Sequence, residues 1–131
     1  MKLKITVLFL SLSISLFQCD SEDGHVKKRV AVEIVELTVP EDGGVSQETE
    51  IYLTARATNG CYSDFEIELV EVGSRHYEFK ASALYESKGV CPDVIVTADT
   101  IISFTPAATG RYFFQANKSP FDVKKDTLII N

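Results

Sequence analysis

The stretch Ile51-Tyr52-Leu53-Thr54-Ala55-Arg56-Ala57 alternates strictly between small or branched apolar side chains and polar or amphipathic ones. A period of two is typical of a β-strand with one face on a core and the other toward water. Asn59-Gly60 follows directly, and this dipeptide is a strong signal for a tight turn. The stretch therefore predicts a half-buried strand that ends at a turn.

The same alternation recurs along the chain, and no window keeps a helical period over three turns. In the first segment Val30, Val32 and Ile34 point one way. The phase then slips, and Leu37 and Val39 continue on the buried side, which predicts a bulge or a switch between two sheets. Turn residues separate the later apolar segments, which are 51–57, 65–69, 77–83, 94–104 (one long strand or two short ones), 111–115 and 127–130. Seven strands at this spacing predict an all-β chain built as one antiparallel β-sandwich.

The N-terminal segment is typical of a signal peptide. Lys2 and Lys4 precede an apolar run of 13 residues, 5–17, which is shorter than the roughly 20 residues that span a bilayer as a helix. The run ends in Leu16-Phe17-Gln18-Cys19, which resembles the bacterial lipobox, although Phe17 and Gln18 depart from its small residues. That resemblance implies cleavage before Cys19 and a lipid on its thiol. Ordinary secretion, or a buried and unmodified cysteine, are the alternatives.

The residues behind this junction are acidic. Asp20-Ser21-Glu22-Asp23 resembles the signal that sends lipoproteins of Bacteroidota-type bacteria to the outer face of the outer membrane, and a solvated tether explains the same residues. We therefore expect a signal peptide over 1–18, a flexible acidic tether over 19–28 and one β domain over 29–131. The predicted location is the cell envelope, as an outer-membrane lipoprotein, with surface display as the further possibility.

The charge balance limits the partners. Removing Lys2 and Lys4 with the leader leaves 11 basic residues against 19 acidic ones, a net charge of −8. An acidic chain of this kind is poorly suited to nucleic acid or to polybasic docking on anionic lipid. The expected partners are the membrane, through the lipid on Cys19, and another envelope or extracellular protein.

Three cysteines in an exported chain leave one without a partner. If Cys19 carries the lipid, Cys61 and Cys91 remain as a pair, and an oxidising compartment allows that disulfide to persist. Metal binding is the rival interpretation, but neither cysteine has a second Cys or a His within a few residues. We expect no metal site and no cofactor.

One local pattern resembles the strand-corner-strand unit of immunoglobulin-like domains. It consists of Phe104-Thr105-Pro106 followed by Gly110-Arg111-Tyr112. The resemblance implies an immunoglobulin-like sandwich in which the Tyr112 hydroxyl bonds back to the corner backbone. Phe114 stands where antibody domains have their second cysteine. The cysteine region, Asn59 to Tyr62 with Cys91-Pro92, also resembles small bacterial lipoprotein domains.

No motif for catalysis is present. The chain lacks Gly-x-Ser-x-Gly, and its strand histidine, His76, is typical of a surface residue. The sequence therefore predicts a non-enzymatic binding or structural module. Its alternative is an inhibitor or accessory subunit that inserts its disulfide-stapled loops into a partner protein. The candidate contact residues in those loops are Tyr62, Asp64, Lys88 and Pro92.

Overall fold

A computed structural model describes residues 24–119 and 122–131. The predicted signal peptide, Cys19 and the first residues of the predicted tether lie outside these ranges. Within them every regular element is a β-strand, and no helix is long and apolar enough to cross a bilayer. The first strand begins at Val26, so the last three residues of the range predicted as a tether, 26–28, pair within the sheet.

The prediction of an all-β chain is confirmed, and residues 24–119 and 122–131 contain seven long strands and one very short one. Their bounds are β1 (Val26–Thr38), β2 (Asp42–Gly43), β3 (Thr49–Ala57), β4 (Tyr62–Gly73), β5 (His76–Ser87), β6 (Val96–Phe104), β7 (Gly110–Ser119) and β8 (Asp122–Ile130). The strands pair in the order β2-β8-β7-β5-β1-β3-β6, and β4 pairs with β5. Together they form one sheet that curls into a half-barrel.

Strand β1 joins the two arms of the sheet. Its first half, 26–32, pairs with β5, whereas its second half, 33–38, pairs with β3. The register shifts between Ile34 and Glu36, where the alternation slips in the sequence. The predicted bulge is therefore confirmed, and the extra residue lets both halves of the strand turn apolar side chains toward one core.

The expectation of a wholly antiparallel sandwich is wrong at two pairs. β5 runs parallel to β7, with His76–Phe79 opposite Phe113–Ala116, and β2 runs parallel to β8. β1 occupies the same edge of β5 along 81–87, so only the start of β5 is open to β7. The result is one continuous sheet that curls around its core.

Alternating side chains from both arms fill the core. The largest fully buried ones are Phe79, Phe114, Ile34, Ile51, Leu53, Leu128 and Pro106. In β3 the apolar residues of the alternating stretch are buried and the residues between them are not, as the sequence predicts. This packing removes apolar side chains of both arms from water and provides most of the driving force for folding.

The corner before β7 is fixed by two hydrogen bonds of Tyr112. Its hydroxyl donates to the carbonyl of Ala108 at 2.9 Å and accepts from the amide of the same residue at 3.2 Å. Gly110 adopts φ 128°, and a Cβ there would collide with the guanidinium of Arg75, which lies over the Tyr112 ring. Glycine is therefore required at this position.

Candidate functional site

The predicted disulfide between Cys61 and Cys91 is confirmed. It lies at the end of the half-barrel where β3 and β5 end. The Cα atoms of Cys61 and Cys91 lie 5.2 Å apart, with the sulfur atoms bonded. The Gly60 amide donates to the Pro92 carbonyl at 2.8 Å, and the Glu86 amide donates to the Cys61 carbonyl at 2.9 Å. The turn after β3 and the loop after β5 therefore form one unit, which we call the stapled end.

Of the four candidate contact residues, Lys88 and Pro92 lie in the loop of this unit, and Tyr62 is the first residue of β4, directly after its turn. Pro92 packs on Gly60, and the half-buried ring of Tyr62 meets Tyr85 edge-on at a centroid distance of 5.1 Å. Lys88 is exposed where the loop leaves β5.

Asp64 serves the fold of β4. It occupies the bulge between Ser63 and Glu66 with φ 48°, and its carboxylate forms an ion pair with Arg29 of β1. Arg29 also pairs with Glu66 at 3.0 Å. These ion pairs connect the start of the edge strand β4 to β1, and the Asp64 side chain keeps 61% of its surface exposed.

A second charged contact closes the start of β1 on the stapled end. His25 bonds Glu86 at 2.9 Å, and this hydrogen bond, helped by Lys27, lowers the pKa of Glu86 below its ordinary value of 4.5. Because the folded pKa is depressed, the contact stabilises the fold above about pH 4.5 and is lost as the pH falls through the folded pKa. We expect His25→Ala to raise the Glu86 pKa toward 4.5, measured by carboxyl-detected NMR titration.

The matched control for that titration is Lys27→Ala, which removes the weaker influence on the same carboxylate. It should raise the Glu86 pKa less than His25→Ala does. An equal or larger shift from the lysine variant would contradict the assignment of the hydrogen bond as the main cause.

An exposed apolar groove lies on the outer face of the sheet, toward the end opposite the staple. It has a volume of about 290 Å³. Its lining comes from four strands, namely Val72, His76, Tyr77, Phe113, Phe114, Gln115, Lys125, Asp126 and Thr127. The parallel pairing of β5 with β7 creates this arrangement, because it sets His76 directly opposite Phe113.

The groove is built around a stacked pair of rings. The rings of His76 and Phe113 lie 4.8 Å apart at an interplanar angle of 21°. The Nδ1–H of His76 donates to the carbonyl of Ser74 at 2.7 Å, which fixes the imidazole and leaves its Nε2 without a hydrogen-bond partner among the described residues. The two exposed apolar side chains of the groove are Val72 and Phe113, which retain 50% and 40% of their surfaces.

Polar groups of β8 border the apolar part. Lys125 forms no salt bridge with another described residue, so its ammonium group is available to a ligand. Asp126, the next residue, turns to the other side of the strand, where its carboxylate accepts from the amides of Val39 and Thr127. The groove therefore combines an apolar, partly aromatic surface with one free cation.

This arrangement is suited to binding. Among the described residues, no three of His, Cys, Asp and Glu are arranged to hold a metal ion. His76 has its Nδ1 hydrogen-bonded to a backbone carbonyl and its ring stacked on Phe113, so the imidazole is held as part of the groove surface.

Sequence reasoning did not find the groove. The signal was present in Arg111-Tyr112-Phe113-Phe114-Gln115, where alternation puts Tyr112 and Phe114 inside and leaves Phe113 as an apolar residue on an exposed face. His76 was predicted as an ordinary surface histidine, and only the pairing of β5 with β7 adds Phe113 to it.

No protein-family model matches this chain, and neither a curated protein nor a solved structure shows significant similarity to it. Its function is therefore argued from the geometry above.

Proposed function

We propose that this chain is a lipid-anchored protein of the cell envelope that acts as a non-enzymatic binding module. The observation that carries the proposal is the groove around His76 and Phe113. Exposed apolar surface with a few polar groups at its rim is characteristic of interaction sites. The stacking of the two rings and the hydrogen bond of His76 hold the apolar part of the groove in place, so little entropy is lost there when a partner binds.

The size and charge of the groove favour a protein partner. A volume of about 290 Å³ is at the lower limit for small-molecule pockets, and it accepts an aromatic or branched side chain of another protein. Lys125 would then pair with a carboxylate beside that side chain. The partner proposed here is an envelope or extracellular protein that presents an apolar residue next to Asp or Glu.

The anchor is supported by cysteine use. Cys61 and Cys91 form the disulfide, which persists in an oxidising compartment, and the third cysteine is Cys19 in the lipobox-like junction. The acidic residues 20–23 support export to the outer membrane and display at the cell surface, as in Bacteroidota-type lipoproteins. In this proposal the groove is the part of the domain turned away from the staple and offered to partners.

An inhibitor or accessory subunit is the second candidate. It is favoured by the loop after β5, in which Val90 retains 90% of its surface. In that role the loop of the stapled end enters a cleft of the partner protein, and the groove is secondary.

For the fold, we infer a relationship to immunoglobulin-like sandwiches. The hydrogen bonds of Tyr112 to Ala108 support it, since a tyrosine at this corner is characteristic of those domains. The parallel pair of β5 with β7 and the single curled sheet are departures from that plan.

The binding function is tested by photo-crosslinking in native envelopes of cells that make the full chain. With a benzophenone amino acid at Gln115, in the groove, we expect a discrete protein adduct. Phe113→Ala should lower its yield by about tenfold or more, because a buried aromatic contact at an interface is commonly a hot spot. Lys125→Glu should lower it as well, since it reverses the charge offered to the partner.

Two controls make the result specific. The crosslinker at Ile101, which is 53% exposed on β6 and outside the groove, should give no such adduct. Val123→Ala removes an exposed apolar side chain of β8 that does not line the groove, and it should leave the yield unchanged. Equal yields from Phe113→Ala and Val123→Ala would overturn the assignment of the groove.

A further inference from the structure

The start of the described chain and the loop after β5 lie at the same end of the half-barrel. Val26 pairs with Ser87, and Lys27 pairs with Glu86. His25 contacts Glu86 as well, so the chain leaves the domain beside the last residues of β5. The described chain therefore begins next to the stapled end.

The loop between β5 and β6, residues 88–95, exposes several apolar side chains at that end. Val90 retains 90% of its surface, Val94 50% and Ile95 66%. The disulfide at Cys91 fixes the middle of the loop, so these side chains cannot withdraw into the core by a simple rearrangement. Exposed apolar side chains that cluster in one loop indicate contact with another apolar phase.

The length of the preceding chain indicates which phase this is. Five peptide units connect Cys19 to Gly24, and even when fully extended they span at most about 18 Å. A lipid on Cys19 would therefore hold the stapled end within reach of the headgroups, and the loop would face the bilayer rather than the surroundings.

We infer that loop 88–95 inserts Val90, Val94 and Ile95 into the interface of the bilayer that holds the lipid anchor. This inference rests on the proposed anchor at Cys19. Two attachments, one covalent and one through the loop, would fix the orientation of the domain. The groove around His76 and Phe113, which lies toward the other end of β5, would then point away from the membrane.

The absence of tryptophan from the chain permits a clean test. Val90→Trp in the full chain gives a single fluorophore at the loop. The acylated protein is isolated from envelopes and reconstituted into vesicles of phosphatidylethanolamine and phosphatidylglycerol. We expect a blue shift of the tryptophan emission and quenching by lipids that are brominated near the start of their acyl chains.

The matched control is Val45→Trp. Val45 is also partly exposed, at 38%, but it follows β2, which pairs with the last residues of β8 at the opposite end of the sheet. Its emission should be the same with brominated and with ordinary lipids. Equal quenching at the two positions would overturn the proposed orientation.

The remaining outcomes distinguish a failure of loop insertion from a failure of the proposed lipid anchor. If the acylated Val90→Trp protein stays on vesicles while its tryptophan remains unquenched, the inference is overturned and the anchor is left intact. A protein whose intact mass shows no lipid, and which does not float with vesicles, overturns both. A crosslinker at position 90 that joins a protein rather than lipid in native envelopes overturns bilayer insertion and supports the inhibitor or accessory subunit.

Discussion

Replacing Phe114 by alanine should lower the free energy of unfolding by about 3–5 kcal/mol, the range for a large aromatic removed from a packed core. Phe114 retains only 1% of its surface. Its ring packs against those of Phe104, Tyr77 and Phe79 at centroid distances of 5.2, 5.5 and 5.9 Å. Truncation would leave a cavity among stiff rings that cannot collapse to fill it. Urea denaturation followed by circular dichroism measures the loss.

The neighbouring residue provides the control. Phe113 precedes Phe114 on β7 but faces outward, and it retains 40% of its surface. Phe113→Ala should therefore cost about 1 kcal/mol or less while weakening the adduct formed in the groove. Phe114→Ala should lower the free energy of unfolding far more than Phe113→Ala does, because its ring is inside the core. Similar losses of stability from both variants would mean that the strand does not separate a structural face from a binding face.

The alternation in the sequence correctly predicts which side chains of a strand face the core and which face solvent, because this is a local property. In Ile51 to Ala57 each apolar residue of the pattern is buried. The phase slip after Ile34 likewise corresponds to an observed shift of register in β1. Side chains alternate across a strand whatever its neighbours are, so this information survives without knowledge of the tertiary structure.

The neighbours of each strand could not be predicted in the same way. Turn signals identify hairpins such as β4 with β5, where Gly73 and Ser74 mark the turn. The parallel pair of β5 with β7 joins segments that are separated by β6, and no local residue pattern records it. The alternation and turns predict a wholly antiparallel sandwich. In the structure, β1 and β7 instead pair with different parts of one edge of β5, and β7 runs parallel to it.

The groove could not be predicted for the same reason, because it depends on which strands are neighbours. The disulfide could be predicted because cysteine count and compartment constrain it, whereas the groove draws Val72, His76, Phe113 and Lys125 from four strands. The alternation in 111–115 could have marked Phe113 as an exposed phenylalanine, but it was not recognised. The contact of Phe113 with His76 depends on the pairing of β5 with β7, which are distant in the sequence. Whether Lys125 has a carboxylate partner depends on where the acidic residues lie in the folded chain.

Removing the disulfide should destabilise the fold by about 3–4 kcal/mol. Cys61 and Cys91 are 30 residues apart, and in the chain-entropy model a cross-link of that length restricts the unfolded chain by this amount. The variant is Cys61→Ser combined with Cys91→Ser, so that neither cysteine of the pair is left as an unpaired thiol. We expect its unfolding midpoint in urea to fall well below that of the native chain under oxidising conditions, with the slope altered by the less compact unfolded state.

Reductant separates the cross-link from the side chains that were replaced. Adding it to the native chain should bring the midpoint close to that of the double variant, whereas the double variant itself should not respond. Cys19→Ser should keep the full response to reductant, since its thiol is not part of the pair. The backbone hydrogen bond from Gly60 to Pro92 remains available in every variant. A double variant as stable as the oxidised native chain would contradict the prediction. It would mean that this hydrogen bond and the packing around it hold the stapled end without the disulfide.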